Sequence, residues 1–137
     1  MRVVDSGVVV AGFASWHRAH PASLGELAGR PQIAAHSLAE AFSVLTRLPA
    51  PHRAPAGLVS RFLDAAFLQD PLTLESRRYR RLVTHRLAAA GISGGAIYDA
   101  LIAEAVRAVD GTMVTLDRRA LATYGRIGCD AVLLESG

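Results

Sequence analysis

Thr112-Met113-Val114-Thr115-Leu116-Asp117 is the stretch on which the fold turns. Its first five residues are β-branched or apolar and show no polar face. A strand of that kind is buried on both sides, as in a parallel sheet covered by helices. The acid that ends it, Asp117, stands where a parallel strand hands the chain to a loop. Just upstream, Ala96 to Val109 is the strongest amphipathic helix, apolar at Ile97, Leu101, Ile102, Ala105, Val106 and Val109. Just downstream, Asp117 to Tyr124 reads as a short helix, and Asp130 to Leu134 as a final strand.

The same alternation continues toward the N-terminus. Val3-Val4 is a short strand that stops at Asp5-Ser6-Gly7, and Val8-Val9-Val10 reads as a second β-branched run. Such a run cannot be told from a buried helix by pattern alone. His17 to Gly29 is helical, closed by its glycine. Ile33 to His36 is a weak strand. Ser37-Leu38-Ala39-Glu40 matches a capping box and opens a helix through Leu48, which ends at Pro49. Ala56 to Leu68 is a further helix, Leu72-Thr73-Leu74 a short strand candidate, and Ser76 to Ala90 a basic helix that ends at Gly91. Interleaved strands and helices with no repeat or linker predict an α/β fold, one domain over residues 1–137 with a mainly parallel sheet.

Composition narrows the chemistry. The chain has 137 residues, 51% hydrophobic and 20% charged, enough for one core without disulfides. Its 15 basic residues face 12 acids for a net +3, and every basic residue is arginine. With no lysine there is no Walker A loop, Schiff base or lysine general base. A phosphoacceptor receiver domain is excluded on the same ground. A single cysteine, Cys129, excludes a disulfide framework or a cysteine-rich zinc site and points to a reducing, cytoplasmic compartment. No apolar stretch is long enough to span a membrane, and Asp5 comes too early for a signal peptide.

Ligands of open α/β sheets sit beyond the carboxyl ends of the strands. Asp5 follows the first strand, Glu40 lies in the first turn after the weak Ile33 strand, and Asp117 follows the Thr112 strand. Asp99 sits early in the Ala96 helix, on the face of Ile102 and Val106. Each acid alone could be an Asx turn, a cap or a helix-dipole partner. Together they would bring four carboxylates to one sheet edge. Such a cluster repels itself unless a cation sits in it, and Mg²⁺ or Mn²⁺ prefers carboxylate oxygen and water. A cation held there can polarise a phosphodiester and activate water.

These segments, Val3-Val4-Asp5-Ser6, Ser37-Leu38-Ala39-Glu40, Gly95 to Ala103 around Tyr98-Asp99-Ala100, and Val114-Thr115-Leu116-Asp117, resemble the PIN-domain ribonucleases. More closely, they resemble the VapC-type toxins of toxin–antitoxin pairs, over essentially the whole chain. The resemblance implies a three-layer α/β/α sandwich in which Val8 to Val10 begin a helix. It implies Mg²⁺- or Mn²⁺-dependent cleavage of RNA, tRNA or ribosomal RNA among the targets, with Asp5, Glu40, Asp99 and Asp117 as the metal-site acids. Ser6 and Thr115 would orient those carboxylates or water. The family usually has Asn or Ser where this chain has Gly7, so a hydrogen bond near Asp5 is lost but no ligand. It further implies a homodimer and a cognate VapB-type antitoxin. That inhibitor would grip the helices carrying Phe42, Leu45, Phe62 and Phe67 and push a basic side chain toward the acids.

Arg118 and Arg119, next to Asp117, and Arg77 and Arg81, in the basic helix, are RNA-phosphate candidates. For the basic helix, a solvated face is the competing reading. The five histidines show no metal spacing and read as surface residues. Two other functions fit the residues: an RNA-processing nuclease without an antitoxin, and a non-catalytic binding module whose acids only cap helices.

Overall fold

The computed structural model describes residues 1–135, so Ser136 and Gly137, the last two residues of the expected domain, lie outside the described residues. β1 (Arg2–Val4) leads into α1 (Ser6–Phe13) and α2 (His20–Ala28). β2 (Gln32–Ile33) is followed by α3 (Ala35–Thr46) and α4 (Ala56–Ala66). α5 (Ser76–Arg81) passes through a π-helical segment (Leu82–Arg86) into α6 (Leu87–Ala89), and α7 (Ala96–Arg107) follows. β3 (Thr112–Thr115), α8 (Ala120–Ile127) and β4 (Asp130–Leu133) close the fold.

The four strands form one sheet in the order β2-β1-β3-β4, and every pairing is parallel. Neighbouring residues of β1 and β3 point to opposite faces, which divides the core. Val3 and Met113 pack on one side with Ile102, Val106, Leu82 and Tyr124 of the later helices. Val4 and Val114 pack on the other with Val8, Val9, Leu45 and Val59 of the earlier ones. Both faces are covered, which is why these strands carry no polar alternation. The result is the expected α/β architecture, a parallel sheet between two helical layers. No helix among the described residues is long and apolar enough to cross a membrane.

Several expectations are corrected. Val8 to Val10 are helical, within α1, as the family resemblance implies and against the strand reading of the run by itself. Asp5 has extended backbone (φ −89°, ψ 177°), and its side chain accepts from the Val8 N–H, so it caps a helix at the point where a strand was expected to restart. A run buried all round satisfies either geometry, and the cap decides it. The capping box at Ser37 does not form. α3 begins at Ala35, its N-cap Ala34 lying three residues before Ser37; Ser37 lies inside the helix, and its buried hydroxyl has no partner among the described residues. The Leu72 strand reduces to one parallel bridge, Ala34 to Leu72. α2 begins at His20, not His17, because Pro21 suits the first helical turn. α8 begins at Ala120 and runs to Ile127, stopped by Gly128 at φ 85°.

Candidate active site

The strand order reverses direction between β1 and β3, because β2 lies on the far side of β1. That switch opens a crevice at the carboxyl ends of the two central strands. An open cavity of about 460 Å³ fills it, and Asp5, Glu40, Asp99 and Asp117 all line it. Four elements deliver them. Asp5 follows β1, Glu40 projects from α3, Asp99 lies in the first turn of α7, and Asp117 follows β3.

Asp5 is the most constrained. Its own N–H donates to the Val114 carbonyl at 3.2 Å, which fastens the end of β1 to β3. One carboxylate oxygen accepts from Val8 N–H at 3.4 Å, and the other accepts from the Tyr124 phenol at 3.2 Å. Burial pushes its pKa above the ordinary value. Hydrogen bonding from Thr115, Val8 and Tyr124 opposes that rise, and the Asp99 charge adds to it. Tyr124 is buried beside these acids, so its phenol is held protonated well above its usual range, by burial first and by Asp5 and Asp99 next. It therefore acts as a fixed donor to Asp5.

The other three acids are more open. Glu40 accepts a hydrogen bond from Ser6 Oγ, which joins the start of α1 to α3. Its other oxygen lies 3.8 Å from His36 Nε2, and the His36 ring stacks on Tyr98 with centroids 5.2 Å apart. Asp99 is raised above the ordinary carboxylate value by burial, then by the charges of Glu40 and Asp117, with His36 acting the other way. Asp117 accepts the Arg119 N–H at 2.9 Å, and its own N–H donates to Thr115 Oγ1 at 3.0 Å. Thr115 thus ties Asp117 to the surroundings of Asp5, and Ser6 holds Glu40.

The donor set is all oxygen, with no sulfur, which suits a hard divalent cation. Burial and the neighbouring charges of Glu40 and Asp117 both disfavour ionised Asp99, and a cation among them would offset that repulsion. Among the described residues no group of three or more His, Cys, Asp or Glu side chains stands close enough together to hold a metal ion as the side chains lie. The carboxylates ring an open cavity instead, a form compatible with a cation that keeps several waters.

Two further side chains enter the cavity that sequence reasoning left out. His17, expected at the surface, lines it, and its Nδ1 accepts from the Ala19 N–H at 3.0 Å. Tyr124 was read only as the end of a helix. A local signal was absent for both, since each reaches the acids through tertiary packing. Arg118 lines a neighbouring cavity that shares His17 and Leu116 with the acid cavity, and Arg119 serves Asp117 through its backbone. Arg77 and Arg81 lie elsewhere, in a separate charged cavity. Gly7 lines the acid cavity, and a Cβ there would meet Asp5 Oδ1 at 3.5 Å, an ordinary contact.

Raised carboxylates give the metal-free fold a definite pH dependence. Asp5 and Asp99 bind protons more tightly folded than unfolded, so their contribution to stability is full below the ordinary pKa of 3.8 and is lost as pH rises through their raised values. In chelator, the part of the melting profile that depends on these two groups should fall as pH climbs from that point. An Asp99→Asn protein should lose part of that fall. Melting curves across the acidic range check this, and identical profiles for the two proteins would contradict it.

Residues 2–126 match the PIN domain family. The chain is 39% identical over 130 residues to Ribonuclease VapC40 of Mycobacterium tuberculosis, covering 95% of this chain and 96% of that protein, in both strain CDC 1551 / Oshkosh and strain H37Rv. It is likewise 39% identical over 131 residues to Ribonuclease VapC27 of strain H37Rv, covering 95% of this chain and 94% of that protein.

Proposed function

This chain belongs to the PIN-domain family, and we propose that it is an endoribonuclease of the VapC toxin type that hydrolyses RNA with Mg²⁺ or Mn²⁺. One observation carries the reading: four carboxylates from four separate elements meet in one cavity at the switch of the parallel sheet. The similarity to named ribonucleases supports the reaction class. Asp5, Glu40, Asp99 and Asp117 would hold the cation, which supplies Lewis acidity toward the phosphodiester and a more acidic water.

The chain's own residues set the geometry. Tyr124 and the Val8 N–H keep Asp5 in one orientation, so the deepest acid is fixed in place before RNA arrives. Ser6 aims Glu40, and Thr115 positions the Asp117 backbone. Arg118, beside the acids, is placed to meet a phosphate outside the carboxylate ring.

The same reading includes a cognate VapB-type antitoxin and a homodimer in the cytoplasm. A basic side chain of the antitoxin would compete with cation and RNA for the same acids. Purified protein incubated with total RNA and Mn²⁺ or Mg²⁺ should yield discrete fragments that disappear with chelator. Mapping their 5′ ends gives the target, tRNA or ribosomal RNA. RNA left intact with either ion would sink the proposal.

A further inference from the structure

A second cavity, of about 440 Å³, shares no lining residue with the acid site. Arg77, Arg78, Arg81, Arg86 and Arg107 line it, with Glu75 and Glu104. Every lining residue is charged, five guanidinium groups against two carboxylates. Glu104 explains how the arginines are arranged. Its side chain is 2% exposed, on the inner face of α7. Arg86 donates to one of its oxygens, Arg107 to the other at 3.2 Å, and Arg78 lies 3.8 Å away. Arg86 also donates to the Ile127 carbonyl at 3.2 Å. The buried acid therefore gathers three arginines, from α5, the π-helical segment and α7, and is itself consumed in doing so. Among the described residues, Arg77 and Arg81 have no acid partner, and both are exposed.

Arg77 and Arg81, left over beside the ordered three, are free to take phosphate, which two parallel N–H donors of a guanidinium grip in a plane. A protein segment would be expected to bring an apolar anchor, and no apolar residue lines this cavity to receive one. A phosphodiester strand needs none. Glu104 and Arg107 follow Asp99 by five and eight residues on α7, roughly 7 to 12 Å along its axis. Asp99 lies in the first turn of α7 and Arg107 in the last, so a strand that bridges the two cavities runs the length of the helix and round to another of its faces.

We propose that this arginine cavity is a second RNA site, which grips backbone phosphates flanking the bond held at the acids. The inference rests on the ribonuclease reading and deepens it. It is tested by fluorescence anisotropy of a labelled target RNA in chelator, where binding is read without cleavage. For Arg77→Gln/Arg81→Gln we expect about tenfold or more weaker binding near physiological salt. The slope of log affinity against log salt should shrink by about 1.4 to 1.8, two phosphate contacts at roughly 0.7 to 0.9 each. Lysine at both positions should restore the slope but not all of the affinity. In cleavage assays the glutamine variant should raise KM on long RNA more than it lowers kcat. Both side chains are exposed, so an unchanged melting temperature serves as the control for folding. Unchanged affinity and slope would overturn the proposal. So would intact RNA binding combined with lost binding of the antitoxin, which would give the cavity to a protein partner. A wild-type protein that cleaves no RNA overturns the nuclease reading instead, since the anisotropy readout does not depend on turnover.

Discussion

Asp99→Asn is expected to slow RNA cleavage by about 1,000-fold or more, close to 4 kcal/mol of transition-state stabilisation. Asparagine keeps the shape and removes one charge from the four that would hold the cation. The same substitution should leave the metal-free protein at least as stable as before. Asp99 is held among Glu40 and Asp117, whose charges raise its pKa, so neutralising it relieves repulsion. This sign separates two readings of the residue. If Asp99 served α7 only as an acid near a helix N-terminus, its loss would cost about 0.3 to 1 kcal/mol of stability and no activity. Single-turnover cleavage with Mn²⁺, beside melting curves with and without the ion, measures both. Wild type should gain melting temperature on adding Mn²⁺, and Asp99→Asn should gain much less. A variant that melts lower in chelator and cleaves within about tenfold of wild type would remove Asp99 from the reacting group.

The largest effect on stability is expected far from the acids, at Glu104. Glu104→Ala should destabilise the fold by about 3 to 5 kcal/mol, because it deletes a buried charge on which three guanidinium groups depend. Arg86 suffers most. Its side chain is the least exposed of the three, and its remaining bond is to the Ile127 carbonyl. For a chain of this length the loss is a drop of roughly 10 °C or more in melting temperature. Urea denaturation gives the free energy directly. Glu104→Leu combined with Arg86→Leu should recover much of it, since an apolar pair of similar volume replaces a buried ion pair at little cost. A single alanine variant within about 1 kcal/mol of wild type would mean that the network contributes little and that the arginines order themselves.

The strand-terminal acids were legible because the rule that places ligands beyond parallel strands needs only strand ends. Val3-Val4 and Met113 to Thr115 mark those ends unmistakably. Asp99 was legible from helical spacing against Ile102 and Val106. Val8 to Val10 were misread as a strand because burial on every side erases the periodicity that distinguishes the two geometries. Only the carboxylate of Asp5, folded back on the Val8 N–H, settles it. At Ser37 the motif matched and the structure did not. Its hydroxyl is buried inside α3, and the Glu40 carboxylate is engaged by Ser6, 34 residues away, instead of the helix start. The crowd of arginines in α5 was visible, but the acid that orders them sits on α7. No local pattern links Arg86 to Glu104 across 18 residues. His17 and Tyr124 belong to the same class, reaching the cavity by packing alone.

The central position of β1 has a consequence for the making of the protein. Of the four described strands β1 is synthesised first, and its partner β3 begins only at Thr112. Asp5 therefore leaves the ribosome long before Asp117. At roughly 5 to 20 residues per second the interval is about 6 to 22 seconds. During that time the Asp5 backbone lacks Val114, its carboxylate lacks Tyr124, and the pocket lacks its fourth acid. A nascent chain of this topology carries no assembled acid cavity, whatever RNA lies beside it. Elongation itself postpones assembly of the acid cavity until the chain has been made through Tyr124.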